Sequence, residues 1–272
     1  MMDEQTGTQQ SLPYDIKKVT RWSPPASKDL RALIAMPNIP KACHGLAPRT
    51  LLGPTAWDAM RRECYDNAND TCEICGRKPV NLRQKHAHEV YKIDYKKGTS
   101  TFARCVCCCA LCHLGGIHTG RAITLFKQGN PLYPKEFLLE GAENAFTIIS
   151  SYNKDHPKAD LRAYATFLDY LKCDELRAPM EALIKKYNIK FYQEDFAQLA
   201  TWGKWKLIIG EEEYPTPYKS KKEWERAMAE ASRSDTARIY ATRMKKFTGL
   251  DEIDITEKHL EQIENAEVPE GF

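Results

Sequence analysis

The 272-residue sequence predicts an α+β protein, in which a module of short strands, tight turns and metal-ligating side chains is followed by a mostly helical region. Three observations predict it. Two C-x-x-C pairs, Cys72-Glu-Ile-Cys75 and Cys109-Ala-Leu-Cys112, bracket a stretch of strand and turn signals. After about residue 125 the apolar pattern changes to a helical period. A hydrophobic fraction of 42% is enough to build a core around both regions.

In chain order, residues 1–49 are polar and punctuated by Pro13, Pro24, Pro25, Pro37, Pro40 and Pro48, which predicts an irregular arm. A first helix reads from Thr55 as N-cap, with Asp58 three residues on and Trp57, Met60, Cys64 and Tyr65 along one face. The metal-ligating module spans 50–125, and a mostly helical region is expected over 126–248. Within that region Leu161, Tyr164, Leu168 and Leu171 form one stripe. Met180, Leu183, Ile184 and Tyr187 form another, with Pro179 separating or kinking the two. Thr201 to Gly210 reads as a buried strand or a covering segment, and Lys222 to Lys246 as a last helix of mixed charge. Residues 249–272 form an acidic tail, with eight carboxylates between Asp251 and Glu270 against Lys258 alone.

Composition narrows the function classes. A net charge of +3 is too small to name a partner by itself. No apolar run approaches the roughly 20 residues that cross a bilayer, and the first twenty residues lack the apolar stretch of a secretory leader. The expectation is a cytoplasmic protein with no membrane partner. In a reducing compartment, the clustered cysteines among the ten read as metal-binding or catalytic rather than as disulfides.

Two residues between thiolates let both reach one ion at about 2.3 Å, and two such knuckles complete a tetrahedral Zn²⁺ shell. Gly76, directly after Cys75, suits the knuckle turn because glycine tolerates positive φ. Cys72, Cys75, Cys109 and Cys112 are therefore the expected structural zinc ligands. Cys105, Cys107 and Cys108 read as small core hydrophobes. Between the knuckles lie 33 residues, more than the 15–20 or so of a plain zinc ribbon. They include Lys85-His86-Ala87-His88-Glu89-Val90-Tyr91, and His113 and His118 follow the second knuckle. Four thiolates already fill a structural shell, so these histidines point to a second metal site or to phosphate chemistry.

This order of residues resembles the HNH, or ββα-metal, nucleases with a zinc-bound core: C-x-x-C-G, a strand carrying His-Glu-Val-Tyr, then Cys-x-x-Cys-His and a further His-x-Gly. The resemblance covers about 70 residues and does not extend to the C-terminal half. It implies metal-dependent hydrolysis of DNA phosphodiester bonds. His88 would act as general base, Glu89 would ligate the metal or orient a ligand, and His113 and His118, with His86, would hold a catalytic Mg²⁺, Mn²⁺ or Zn²⁺. Lys92, Lys96, Lys97, Arg104 and Arg121 are the expected phosphate contacts.

Three departures from the family pattern bear on catalysis. Ala87 stands where many members carry a ligand, and no Asn lies between Glu89 and Cys109. His113 and His118 are five residues apart, whereas an α-helix aligns residues three or four apart, unless Leu114-Gly115-Gly116 introduces a bulge. A catalytically silent DNA-binding zinc module and a zinc-stabilised protein-interaction scaffold are the alternative expectations. The oligomeric state is not legible.

Overall fold

The structure is a computed structural model that describes residues 14–26, 28–78, 85–193 and 199–231. It is a mixed α+β fold. Described residues up to Pro217 belong to one compact unit and those from Tyr218 to another. In chain order the first unit contains β1 (Ile16–Lys17), β2 (Arg21–Trp22), 3-10 turns at Leu30–Ala35 and Lys41–Cys43, α1 (Pro48–Leu51) and α2 (Gly53–Asn67). Next come β3 (Lys85–Asp94), β4 (Thr99–Cys109), a π-helical segment Leu111–Ile117, α3 (Thr119–Lys127) and α4 (Lys135–Asp155). β5 (Ala163–Tyr164), a 3-10 helix Ala165–Lys172, α5 (Asp174–Tyr187), β6 (Phe191–Tyr192), β7 (Lys206–Ile209) and β8 (Glu212–Pro215) complete it.

The β3–β4 hairpin organises this unit. Its ten-rung ladder runs from Lys85↔Cys109 to Asp94↔Thr99, with a bulge where Val90 faces Arg104 and Tyr91 faces Phe102. Asp94 closes the turn: its Oδ1 accepts from the Lys96 and Lys97 amides at 3.1 and 3.0 Å, and Gly98 takes the positive φ of 74° that a side chain would resist. The hairpin sits inside a sheet of order β2-β3-β4-β7-β8, while β1, β6 and β5 form a small parallel sheet.

Alternation along β3 sends side chains to two faces, which meet three apolar clusters. Val90, with Val106 and Cys108 of β4, packs into the larger core, which α3, α4, α5 and the Leu30–Ala35 turn also build. Ala87, with Cys105 and Cys107, packs against Cys64 and Tyr65 of α2, and Tyr91 and Ile93 pack with Leu46, Trp205 and Leu207. Central to the first core is α4, where Leu138, Ala142, Ala145, Phe146 and Ile149 are buried.

Several expectations change here. The proline-marked stretch before residue 50 is irregular in backbone yet deeply packed: Leu33, Ala42 and Cys43 are completely buried. Short 3-10 turns bury apolar groups without any period that a sequence pattern would reveal. α2 begins at Gly53, not at a Thr55 cap, because Pro54 pre-sets the first-turn φ. The Leu161–Leu171 stripe is not one helix. Asn153 ties down the Leu161 backbone, Tyr164 joins the small sheet, and the remainder is 3-10. Pro179 lies inside α5, which runs continuously past it. Of the expected last helix, residues 221–231 are helical, with ion pairs Lys221–Glu225 and Arg226–Glu230; the rest, and the acidic tail, lie outside the described residues.

Candidate metal centres

The first centre forms where the Cys72–Gly76 turn meets the end of β4. The Sγ atoms of Cys72, Cys75, Cys109 and Cys112 all lie within 4.8 Å of one another, and Cys75 Sγ is 3.7 Å from Cys109 Sγ. Tetrahedral bonds of about 2.3 Å place sulfurs roughly 3.8 Å apart, so the four could hold one ion such as zinc. Backbone contacts fix the turn: Cys72 N donates to Arg77 O and Gly76 N to Cys72 O, both at 2.8 Å, with Gly76 at φ 72°. A donor also aims at one sulfur. Asn144 Nδ2 on α4 reaches Cys112 Sγ at 3.4 Å.

The neighbouring cysteines behave differently. Burial pushes Cys64 and Cys105 up to about 12 and Cys107 to about 11, so they stay protonated at neutral pH. Glu73 locks this wall in place, its Oε2 accepting from Cys107 N at 2.7 Å and its Oε1 from Arg104 Nη1 at 2.8 Å.

The second centre forms around His113, the residue that directly follows Cys112. His88 projects from β3 on the same face as Val90, while His113 and His118 come from the π-helical segment and its C-cap. One ring nitrogen from each of the three lies within 4.8 Å of the others. Ring centroids are 5.0 Å apart for His88–His113, 4.9 Å for His88–His118 and 4.6 Å for His113–His118.

The π geometry explains how residues five apart can meet. His118 N donates to His113 O at 2.9 Å, closing one wide turn and stacking the two residues on one side. The turn fits because glycines allow backbone contact with α4. A Cβ built on Gly141 would stand 2.4 Å from Gly115 Cα, and one on Gly116 would stand 2.7 Å from Ile34 Cδ1.

Asn38, from the irregular segment before residue 50, accepts from His118 Nδ1 at 3.0 Å, which leaves the lone pair on Nε2. That nitrogen meets His88 Nδ1 at 3.2 Å. Burial holds His88 and His113 well below the ordinary histidine value, with the neighbouring histidines adding to the effect, and burial with the Arg121 charge lowers His118 to about 4. All three are thus neutral at pH 7, the form that ligates metals.

The remaining expected residues are distributed as follows. His86 stacks on His113 at 4.8 Å, and its Nε2 is buried with no hydrogen-bond partner. Glu89 falls on the other strand face, where its charge acts on Tyr91 and Cys105, and it is not among the three converging histidines. Arg104 is paired with Glu73. Lys92 and Arg121 are exposed, Arg121 one turn beyond His118. Lys96 and Lys97 sit in the hairpin turn beyond Asp94, the end of β3, which is six strand residues and roughly 20 Å from His88 at about 3.3 Å per residue. Neither a family model, a curated protein nor a solved structure matches the chain. Among the described residues no helix is long and apolar enough to cross a membrane.

Proposed function

We propose that the chain is a metal-dependent endonuclease of the HNH type that hydrolyses DNA phosphodiester bonds. The observation that carries this reading is the convergence of His88, His113 and His118 beside a four-cysteine cluster. Three neutral imidazoles leave a divalent ion with open coordination positions, as catalytic sites require, while four thiolates close a structural one. When bound, the ion would supply Lewis-acid stabilisation of the charge that develops on the leaving oxygen.

The protein groups divide the remaining work. His118 presents Nε2 because Asn38 takes up its Nδ1 proton, and the π turn holds His113 beside it. Motif order assigns the general base to His88. The ring geometry instead favours His88 as third ligand and leaves His86, with an unpartnered Nε2, to accept the proton. The water oxygen bonds to phosphorus as the bond to the leaving oxygen breaks. The water proton passes to His86, and the leaving oxygen takes a proton from solvent.

The test is cleavage of supercoiled plasmid with Mg²⁺, Mn²⁺ or Zn²⁺. His86→Ala should keep both metals and lose about 10²–10⁴-fold in rate, as loss of a general base does. His88→Ala should lose the second metal. An active His86→Ala protein together with an inactive, metal-replete His88→Ala protein would return the base role to His88. The 5% exposure of His88 favours a second reading, in which this ion too is structural and the module binds DNA without cutting it. A mobility shift of duplex DNA with no cleavage under any metal selects that reading. No shift at all selects a protein-interaction scaffold.

A further inference from the structure

The four cysteines of the first centre are not equally covered. Cys72, Cys109 and Cys112 are buried, whereas Cys75 is only partly so. Cys75 is the last of its pair before the chain turns outward at the exposed Gly76, and a Cβ built on Gly76 would meet nothing within 4 Å. The open space beside it is a cavity of about 440 Å³, large enough for a small molecule. Cys75 and Gly76 line that cavity together with Asn144 and Thr147 of α4, and none of the other three cysteines does. Asn144 directs its amide hydrogen to Cys112 Sγ, while Cys75 Sγ faces Cys109 Sγ at 3.7 Å.

The thiolate is the nucleophilic form of cysteine, and a metal keeps the sulfurs bound to it deprotonated. With zinc in the cluster, Cys75 is therefore a thiolate with a path to solvent, and its three partners are thiolates without one. Cys105 and Cys173 are also partly exposed, but they belong to no converging ligand set among the described residues.

We propose that Cys75 is the oxidation site of the cysteine centre: a peroxide entering the cavity oxidises its sulfur, and Cys109 then closes a disulfide with it. The proposal rests on the zinc reading of the four cysteines and not on the nuclease reading. The Cys75 sulfur attacks one peroxide oxygen; an S–O bond forms, the O–O bond breaks, and the hydroxide released takes a proton from solvent. Cys109 Sγ then attacks Cys75 Sγ; an S–S bond forms, the S–O bond breaks, and the second hydroxide is protonated in turn. Two electrons leave the pair of sulfurs and reduce one peroxide to two waters. Two of the four thiolate ligands are thereby lost, and the centre releases its zinc.

The test treats the zinc-loaded full chain with hydrogen peroxide and follows zinc release with a colorimetric chelator. In a short exposure dimedone, which traps sulfenic acids, should label Cys75 before any other ligand cysteine. Peptide mapping without reductant should show a Cys75–Cys109 bridge that grows in step with zinc release. Thr147 is an exposed residue of the cavity wall, so Thr147→Trp should slow the release severalfold with zinc content and melting temperature unchanged. Cys173→Ser should release zinc at the wild-type rate. First labelling at Cys72, Cys109 or Cys112, or a bridge that excludes Cys75, overturns the proposal in the wild-type protein, with no variant needed. Equal release from wild type and Thr147→Trp overturns it as well, since the cavity would not be the route. A chain that takes up no zinc defeats the zinc reading instead. First labelling at Cys75 followed by the Cys109 bridge would then still uphold the oxidation site, and any other order would overturn it.

Discussion

The two centres share one stretch of chain, Cys109 to His118, yet they are built differently. The cysteine centre is closed: four thiols that could hold one ion converge there, and an amide donor from Asn144 reaches one of them. The histidine centre has three ligands and polar atoms left over, since His86 Nε2 and His113 Nδ1 are buried without partners. Unsatisfied buried polar atoms cost stability, and a protein retains them where a ligand completes them. The contrast predicts that an ion at the first centre supports the fold and that an incoming ligand completes the second.

The largest effect should come from breaking the closed centre. Cys72→Ser should lose the zinc and melt far earlier, because metal-linked folding energy in such modules is on the order of 10 kcal/mol. Cys105→Ser should keep its metal, and zinc content by mass spectrometry separates the two. Next in size is the joint between the centres. Gly141→Ala drives a methyl into the Gly115 backbone, so it should destabilise the protein by about 1–3 kcal/mol. It should also weaken Co²⁺ binding at the histidines while zinc stays in place. Equal losses at both centres would show that they are not independent.

A smaller effect should follow from loosening the open centre alone. Asn38→Leu removes the acceptor for His118 Nδ1 and should lower divalent affinity there roughly 10–100-fold, the usual worth of such an outer contact. Asn38→Asp should preserve or raise that affinity, and isothermal titration measures both. The smallest is a control outside both centres. Arg31, with help from His156, holds the Asp29 carboxyl well below the usual carboxylate range. A carboxylate with a lowered folded pKa contributes stability that is complete above about pH 4 and is lost as pH falls through its folded value. Asp29→Asn should therefore cost about 1 kcal/mol in thermal melts at pH 7, with the difference from wild type shrinking only below about pH 4. Metal loss between pH 7 and 5 then reports on ligands and not on this pair.

The cysteine cluster was legible in the sequence because a C-x-x-C turn is local: two residues and a glycine determine its geometry. The hairpin histidines were legible for the same reason, since alternation sends His86 and His88 to one strand face. What sequence spacing could not supply came from afar. Asn38 lies in a segment without any period, and Asn144 and Gly141 lie on a helix whose amphipathic pattern does not say which neighbour its small residues admit. Lys96 and Lys97 read as close to the histidines by number, yet an extended strand carries them away. The split of Leu161–Leu171 turns on the parallel pairing of Tyr164 with Tyr192, a contact that no local pattern encodes.

The wide turn between His113 and His118 bears on ancestry and on engineering. Removing one residue from Leu114–Ile117 would leave the two histidines four apart, the spacing that an ordinary helical turn already places on one side. At the level of ligands the two lengths are interchangeable, and the extra residue is a silent letter in the metal-binding signature. Its physical effect falls instead on the backbone groove that α4 enters at Gly141. Chains with the same centre and an ordinary turn would thus be related to this one by a deletion and not by substitutions. Their helix partner would be free to carry a larger residue where this chain requires glycine.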